Sequence, residues 1–471
     1  MNLCLTSAVD LAGMLRSREL SARELLTAFL DRIDLLNPEI NAIVTLAPEE
    51  ALAAAAEADE AAAAGAWRGP LHGLPIAVKD LAETAGMRTT FGSPIFAANV
   101  PGRDAAYVAN LRRAGAIVVG KTNTPEFGAG SQTFNPVFGA TLNPYDRTRT
   151  PGGSSGGAAA AVTAGLLPFA DGSDLAASVR NPAAFCNLVG LRTTPGLVPD
   201  DPFNPLAVVG PIARTPADAA LLLAGLCGQD PGMPLARPDR PADFLDLRPA
   251  DLRGLRVAWT PDLGDLAVEP AVTAVLDRAR KALEDLGCEV VETAPALSDA
   301  DEVFQVLRAQ LMAALGPLLE SSRGQMKQTL VWNIEKGLAL TGTEVAAALT
   351  RRAEIFQRMR AFFSEAYAGP GNGFDVLALP TVQVTPFSVD VEWVKEINGV
   401  PQETYIDWMR SCSRITVTAH PALSVPAGFT PQGLPVGLQL VGPYGSDLRL
   451  LQIAQAFTDA TGHPAARPHL R

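Results

Sequence analysis

Apolar and polar positions follow two different periods along this chain. Leu25, Leu26, Phe29, Ile33 and Leu36 recur at helical spacing, and Ser21 followed by Glu24 predicts a capping box at the start of that helix. The alanine- and glutamate-rich run over 48–64 predicts a second helix, and segments 107–114 and 156–167 read the same way. Short apolar runs lie between the helices and predict strands: LPIAVKD at 74–80, AIVVG at 116–120, LLPFADGSD at 166–174, LRVAWT at 255–260, CEVVET at 288–293, DVLALPT at 375–381 and PVGLQLVG at 435–442. Such alternation predicts an α/β protein: a single large α/β/α domain with a central twisted mixed, largely parallel sheet covered by helices. Residues 1–70 form an N-terminal helical region in this reading. The proline-rich stretch 227–254 reads as a long surface connection within one sheet, because the strands before and after it look alike.

Composition narrows the function. The 471 residues are 48% hydrophobic and 19% charged, with a net charge of −12. An acidic chain without a basic stripe argues against nucleic acid and against an anionic membrane surface as partners. No apolar run is long enough to span a bilayer, and MNLCLTSAVDLAGML lacks the basic start of a signal peptide, so a cytoplasmic location is expected. Cys4, Cys186, Cys227, Cys288 and Cys412 are scattered without CxxC spacing and read as reduced thiols. His72, His420, His463 and His469 are too dispersed to suggest a metal site. No metal and no cofactor is expected.

Three chemistries compete for the glycine-rich segments. GAIVVGKT at 115–122 satisfies a phosphate-loop pattern, but its spacer residues are themselves a strand, and Pro125 follows closely where a helix should open. GGSSG at 152–156 fits a nucleophile elbow, yet NPYDRTRTPG precedes it in place of a hydrophobic strand. The third reading is a serine site driven by lysine. The chain carries six lysines against thirty-two arginines, and Lys79 ends an apolar strand. A desolvated lysine can lose its proton, which arginine effectively cannot. In GSDLAASVRNP, Ser178 follows two small residues that let backbone N–H groups approach a substrate. Taken singly, a strand-end lysine more often just reaches water, and a Gly-Ser turn just turns.

In that order, GLPIAVKD, PGGSSGGAAAAVTAGLLP and GSDLAASVRNPAAFCNLVGLRTTPG resemble the amidase signature family. GAIVVGKTNTPEF and HPALSVPAGFTPQGLPVGLQLVGP add to the likeness, which covers roughly residues 20–225 and 375–460. The resemblance implies a catalytic core over 71–225 and a Ser–cisSer–Lys triad. Lys79 would be the base, Ser154 the bridging serine on a cis peptide bond, and Ser178 the nucleophile. Ser155 would support the loop. Backbone N–H groups of Leu175, Ala176, Ala177 and Ser178 would form the oxyanion hole. This chain has Ala176-Ala177 where relatives usually have Gly-Gly, which predicts negative φ at both positions. Asp174 and Arg180 would fix the loop, with an ordinary salt bridge as the plain alternative. For Lys79 to be neutral near pH 7–8, burial must bring its pKa well below roughly 10.4. His72, seven residues earlier, is the rival base.

The region 297–408 matches the family poorly and reads as a variable substrate-pocket insertion. Phe304, Leu307, Leu311, Met312, Trp332, Phe362, Phe363, Trp393 and Trp408 there suggest an apolar or aromatic pocket, against the plainer reading of helical core packing. The expected substrate is a small amide, anilide, ester or carbamate (urethane), all of which pass through a tetrahedral oxyanion. The first alternative is a glutaminase component of a tRNA-dependent amidotransferase, which would need partner chains. The second is a non-catalytic binding protein. A homodimer through the N-terminal helices is the self-association considered.

Overall fold

The computed structural model describes residues 2–201, 203–228, 230, 232–364 and 373–470. Ser21 caps the helix Ala22–Ile40, with both halves of the capping box made. Leu25, Leu26, Phe29, Ile33 and Leu36 all face inward. The alanine-rich helix runs over Pro48–Ala63.

Two sheets carry the fold. The larger has eight strands, in the spatial order Glu289–Glu292, Arg256–Trp259, Val376–Pro380, Pro435–Val441, Ala422–Phe429, Val189–Arg192, Val208–Ala213 and Phe169–Asp174. Strands from both sides of the 227–254 connection sit in this one sheet. The architecture is the α/β sheet covered by helices that the alternation predicts, and the sheet is mixed. It is not largely parallel. Only the first three strands run parallel, and the other five pairings are antiparallel. A parallel pair needs a crossover, usually helical, whereas Ala422–Phe429 returns to Pro435–Val441 through a tight turn. Val189–Arg192 likewise meets Val208–Ala213 with no helix between them. Periodicity detects strands but not the length of the connection that sets their direction.

The smaller sheet pairs Ile43–Leu46 antiparallel and Pro75–Lys79 parallel with the central strand Ile117–Thr122. Lys79 is the last residue of its strand. Its backbone N–H donates to Asp171 Oδ1 at 3.1 Å, which ties this sheet to the edge strand of the larger one.

The helix Gly156–Thr163 is buried along its whole length. Its sequence, GGAAAAVT, is small on every side, as a helix enclosed on every side requires. A Cβ on Gly157 would stand 2.3 Å from the backbone nitrogen of Asn123 and 2.7 Å from the carbonyl oxygen of Ala42. Close approach of backbone to backbone, not flexibility, explains this glycine. Gly157→Ala is expected to cost about 3 kcal/mol of stability in denaturant melts. Gly13→Ala, on a helix with nothing within 4 Å of the added methyl, should stabilise by about 0.5–1 kcal/mol.

Candidate active site

Three segments converge at the junction of the two sheets. The strand end supplies Lys79. The turn before the buried helix supplies Ser154 and Ser155, and its Gly153–Ser154 peptide bond is cis. The third segment is the edge strand Phe169–Asp174 with the loop that follows it. Successive strand residues point to opposite faces, so Asp171 and Ser173 share the face turned toward Lys79.

Lys79 is 1% exposed, and its ammonium lies among hydroxyls. Nζ donates to Ser154 Oγ at 2.7 Å, to Ser155 Oγ at 2.8 Å and to Ser173 Oγ at 3.0 Å. No carboxylate lies within ion-pair distance of it among the described residues. Burial pushes its pKa down to about 7, while the charges of Asp171 and Asp174 act weakly in the opposite sense. That depression corresponds to roughly 5 kcal/mol against the charged form. Burial raises the Asp171 carboxyl, which accepts from the Tyr107 hydroxyl at 3.0 Å.

Ser154 is 3% exposed, while Ser178 is half-buried and lines the same cavity as Ser154 and Ser173. No hydrogen bond joins the Ser178 hydroxyl to that of Ser154 among the described residues; instead the Ser155 N–H donates to the Ser178 carbonyl at 3.1 Å. Links of this kind are often loose without substrate and tighten when it binds.

The loop from Leu175 to Ser178 is held from behind. Arg180 makes a two-point contact with Asp174, Nε to Oδ2 at 3.0 Å and Nη2 to Oδ1 at 2.9 Å, and all three groups of the Asp174, Arg180 and Arg192 cluster are buried. Arg192 also donates to the Asp174 carbonyl. Arg180 Nη2 donates to the Ala176 carbonyl at 2.9 Å, and the Asn181 N–H donates to the Ala177 carbonyl at 2.7 Å. In a planar trans peptide the N–H points opposite to the C=O. Tying back the carbonyls of Asp174, Ala176 and Ala177 therefore turns the N–H groups of Leu175, Ala177 and Ser178 the other way. None of the four N–H groups from Leu175 to Ser178 donates to another described group. Neither Ala176 nor Ala177 has positive φ, so the alanines fit without backbone strain. Leu175, Ala176 and Ser178 line the cavity, and Ala177 packs behind it. Burial alone would raise Asp174, but the Arg180 guanidinium and its hydrogen bonds win and bring its pKa down to about 2.

The cavity is about 150 Å³. Leu81, Phe127, Met312, Ile406 and Met409 make its apolar wall. Of the aromatic and aliphatic residues that the sequence suggested for a pocket, only Met312 reaches it. Phe304 and Leu307 are core residues, turned to the buried face of their helix by helical spacing, and Trp408 is core within a short turn buried throughout. Arg308 and Tyr405 line the cavity unannounced by any motif, and Phe127 lines it at the end of GAIVVGKTNTPEF, a segment to which the sequence assigned no role. Ser173 is a further site residue that the motif reading misses; strand alternation from Asp171 through GSD is the signal that finds it.

Other candidate residues lie elsewhere. His72 borders a separate cavity beside Trp67 and the N-terminal helices, with Nε2 3.0 Å from the Ala58 carbonyl. Lys121 of the phosphate-loop-like segment is buried in a strand, donating to the Ala82 carbonyl at 2.6 Å and to Thr84 Oγ1 at 2.8 Å. His420 is buried with Nδ1 at 2.8 Å from the Thr418 carbonyl.

A buried lysine hydrogen-bonded to Ser154 and Ser173, both on the wall of a cavity bordered by free N–H groups, is an arrangement able to activate a serine hydroxyl. Comparisons with known proteins narrow the class. The Amidase family model matches residues 24–451. An acylamidase of Rhodococcus erythropolis is 38% identical, covering 97% of this chain and 95% of its own. A glutamyl-tRNA(Gln) amidotransferase subunit from Heliobacterium modesticaldum is 34% identical over the full length of both. A bacterial aryl acylamidase structure superposes with a TM-score of 0.90 at 27% identity, covering 98% of this chain and 99% of the other. The chain belongs to the amidase signature family and is an amide-hydrolysing enzyme. No helix among the described residues is long and apolar enough to cross a membrane.

Replacing Asp174 with Asn would leave two buried guanidinium groups without their counter-charge. Asp174→Asn is expected to lower stability by about 3–5 kcal/mol in urea melts.

Proposed function

We propose that the chain is a free-standing hydrolase of small amides, working through an acyl-enzyme on Ser178 with Lys79 as base and Ser154 as proton relay. One observation carries this reading: a buried lysine with its pKa brought to about 7 lies 2.7 Å from a serine hydroxyl that shares a cavity with Ser178. Uncharged Lys79 Nζ accepts the Ser154 proton as Ser154 Oγ accepts that of Ser178. Ser178 Oγ then bonds to the carbonyl carbon. The N–H groups of Leu175, Ala176, Ala177 and Ser178 receive the oxyanion, and preorganised donors of this kind are often the largest single contribution to rate. As the tetrahedral species collapses, the C–N bond breaks, Ser154 hands its proton to the departing nitrogen, and Lys79 returns a proton to Ser154. Water then adds to the acyl ester, its proton taken by the same Ser154–Lys79 pair, which gives a proton to Ser178 Oγ as the ester C–O bond breaks.

The apolar wall supports an apolar or aromatic group on the substrate, and a cavity of about 150 Å³ admits a group the size of benzene. Esters and carbamates would follow the same path. In this reading, residues 297–408 supply substrate selection, through Arg308, Met312, Tyr405 and Ile406 on the cavity wall. The full-length likeness to the amidotransferase component favours a second reading, glutamine hydrolysis with partner chains.

With an aryl amide as substrate, Lys79→Ala should lower kcat/KM by about 10²–10⁴-fold, the range of a lost general base, and His72→Ala should leave it nearly unchanged. Mass spectrometry after a fluorophosphonate probe should find the adduct on Ser178. Lysine acts as base in its neutral form, which prevails above the pKa. The kcat/KM profile should therefore rise with pH to a plateau above about 7. A profile that falls through the same range removes Lys79 as the base. Turnover of glutamine only on adding partner chains would transfer the assignment to the second reading.

A further inference from the structure

Among the described residues, the cavity wall holds a charge with no counter-charge. Arg308 lies on the helix Ala300–Met312, one turn before Met312, and both side chains line the cavity that Ser178 faces. Arg308 is 3% exposed. Its Nη2 donates to Gln305 Oε1 at 2.9 Å, and its Nη1 has only a long contact, 3.4 Å, to the Tyr405 hydroxyl. That hydroxyl already accepts from Asn333 Nδ2 at 3.0 Å. The buried Nε has no partner among the described residues. No carboxylate lies within ion-pair distance of the guanidinium among those residues either.

The other buried arginines among the described residues each meet a carboxylate or a set of carbonyls, although Arg192 Nε, like Arg308 Nε, has no partner of its own. Arg180 and Arg192 meet Asp174, and Arg414 meets Asp265 and Asp301. Arg214 donates to the carbonyls of Thr6, Val162 and Leu167. A buried charge without such pairing is costly, so where one persists in a binding cavity, a partner that arrives with the ligand accounts for it. Trp332 and Tyr405 flank the guanidinium, with ring centroids 5.3 and 5.9 Å from its central carbon. The two rings are inclined at 73° to each other and border the guanidinium as a corner, within cation–π range of it.

We propose that Arg308 is a specificity-determining residue that grips a carboxylate carried by the substrate, making carboxylate-bearing amides the preferred substrate class. This rests on the hydrolase reading above and deepens it: the apolar wall takes a spacer, and the Arg308 fork takes the two oxygens at its end. The carboxylate can belong to the acyl half, as in a monoamide of a dicarboxylic acid, or to the amine half, as in an amide of an aminocarboxylic acid.

Two matched pairs separate these sources. Glutaranilic acid against pentananilide probes the acyl half, and 4-acetamidobenzoate against 4-methylacetanilide probes the amine half. The wild-type enzyme should favour the charged member of one pair by about 10- to 100-fold in kcat/KM, the range for a hydrogen bond to a charged group. Arg308→Gln should abolish that preference mainly through KM, with a loss on the charged member of the pair at least about tenfold greater than any loss on its neutral counterpart. No preference in either pair for the wild type, or an equal loss on charged and neutral substrates in Arg308→Gln, overturns the proposal. The wild-type comparison decides it even if the variant fails to fold. Calorimetric binding of glutaranilic acid and 4-acetamidobenzoate to Ser178→Ala reads the same contact without turnover. Retained binding there, together with probe labelling away from Ser178, would fault the assigned chemistry and leave the Arg308 contact standing.

Discussion

An ammonium group enclosed by hydroxyls, with carboxylates close enough to feel but not to pair with, is the constraint on which the site depends. Water would hold Lys79 charged, and a direct ion pair would hold it charged more firmly. The fold avoids both. It buries the side chain at the end of a strand, hands its backbone N–H to Asp171, and, among the described residues, offers Nζ only Ser154, Ser155 and Ser173 as close side-chain partners. The hydroxyls satisfy the amine in either protonation state, because each can donate as well as accept. Burial then sets the balance between the two forms near neutrality.

The electrostatics behind the loop are of the opposite kind. Asp174, Arg180 and Arg192 are fully charged, fully buried and closely matched. Such a cluster contributes less to net stability than to geometry, since its charges must be desolvated before they attract. Its product is a set of tied carbonyls and, by peptide planarity, a set of free N–H groups facing the other way. The same chain thus uses two treatments of buried charge within a few residues: one weakens a charge, the other anchors it. Arg308 is the third case, a charge left unmatched on the cavity wall.

Local motifs carried much of this. Lys79, Ser154, Ser155, Asp174, Arg180 and the 175–178 loop were singled out because the family resemblance runs through the short segments that hold them, and the fold brings those segments together. Gly157 shows how tight the packing is there, with no room for a methyl group against Asn123. The cavity wall was not legible. Arg308 and Tyr405 are far apart in sequence from the serines and from each other, and nothing local distinguishes an arginine on a helix that will be buried from one that will meet water. The aromatic residues that did stand out pack in or against the core and do not line the cavity.

Sequence alone determined the kinds of element, the α/β class and the short-range chemistry, since periodicity, capping and crowding act over a few residues. Tertiary structure decided strand direction, because that depends on how connections fold back, and it decided which hydroxyls surround Lys79. It also decided that Asp174 would be paired and Arg308 would not. Those outcomes depend on which distant segments share a buried space, and burial, not residue type, sets the cost of a charge.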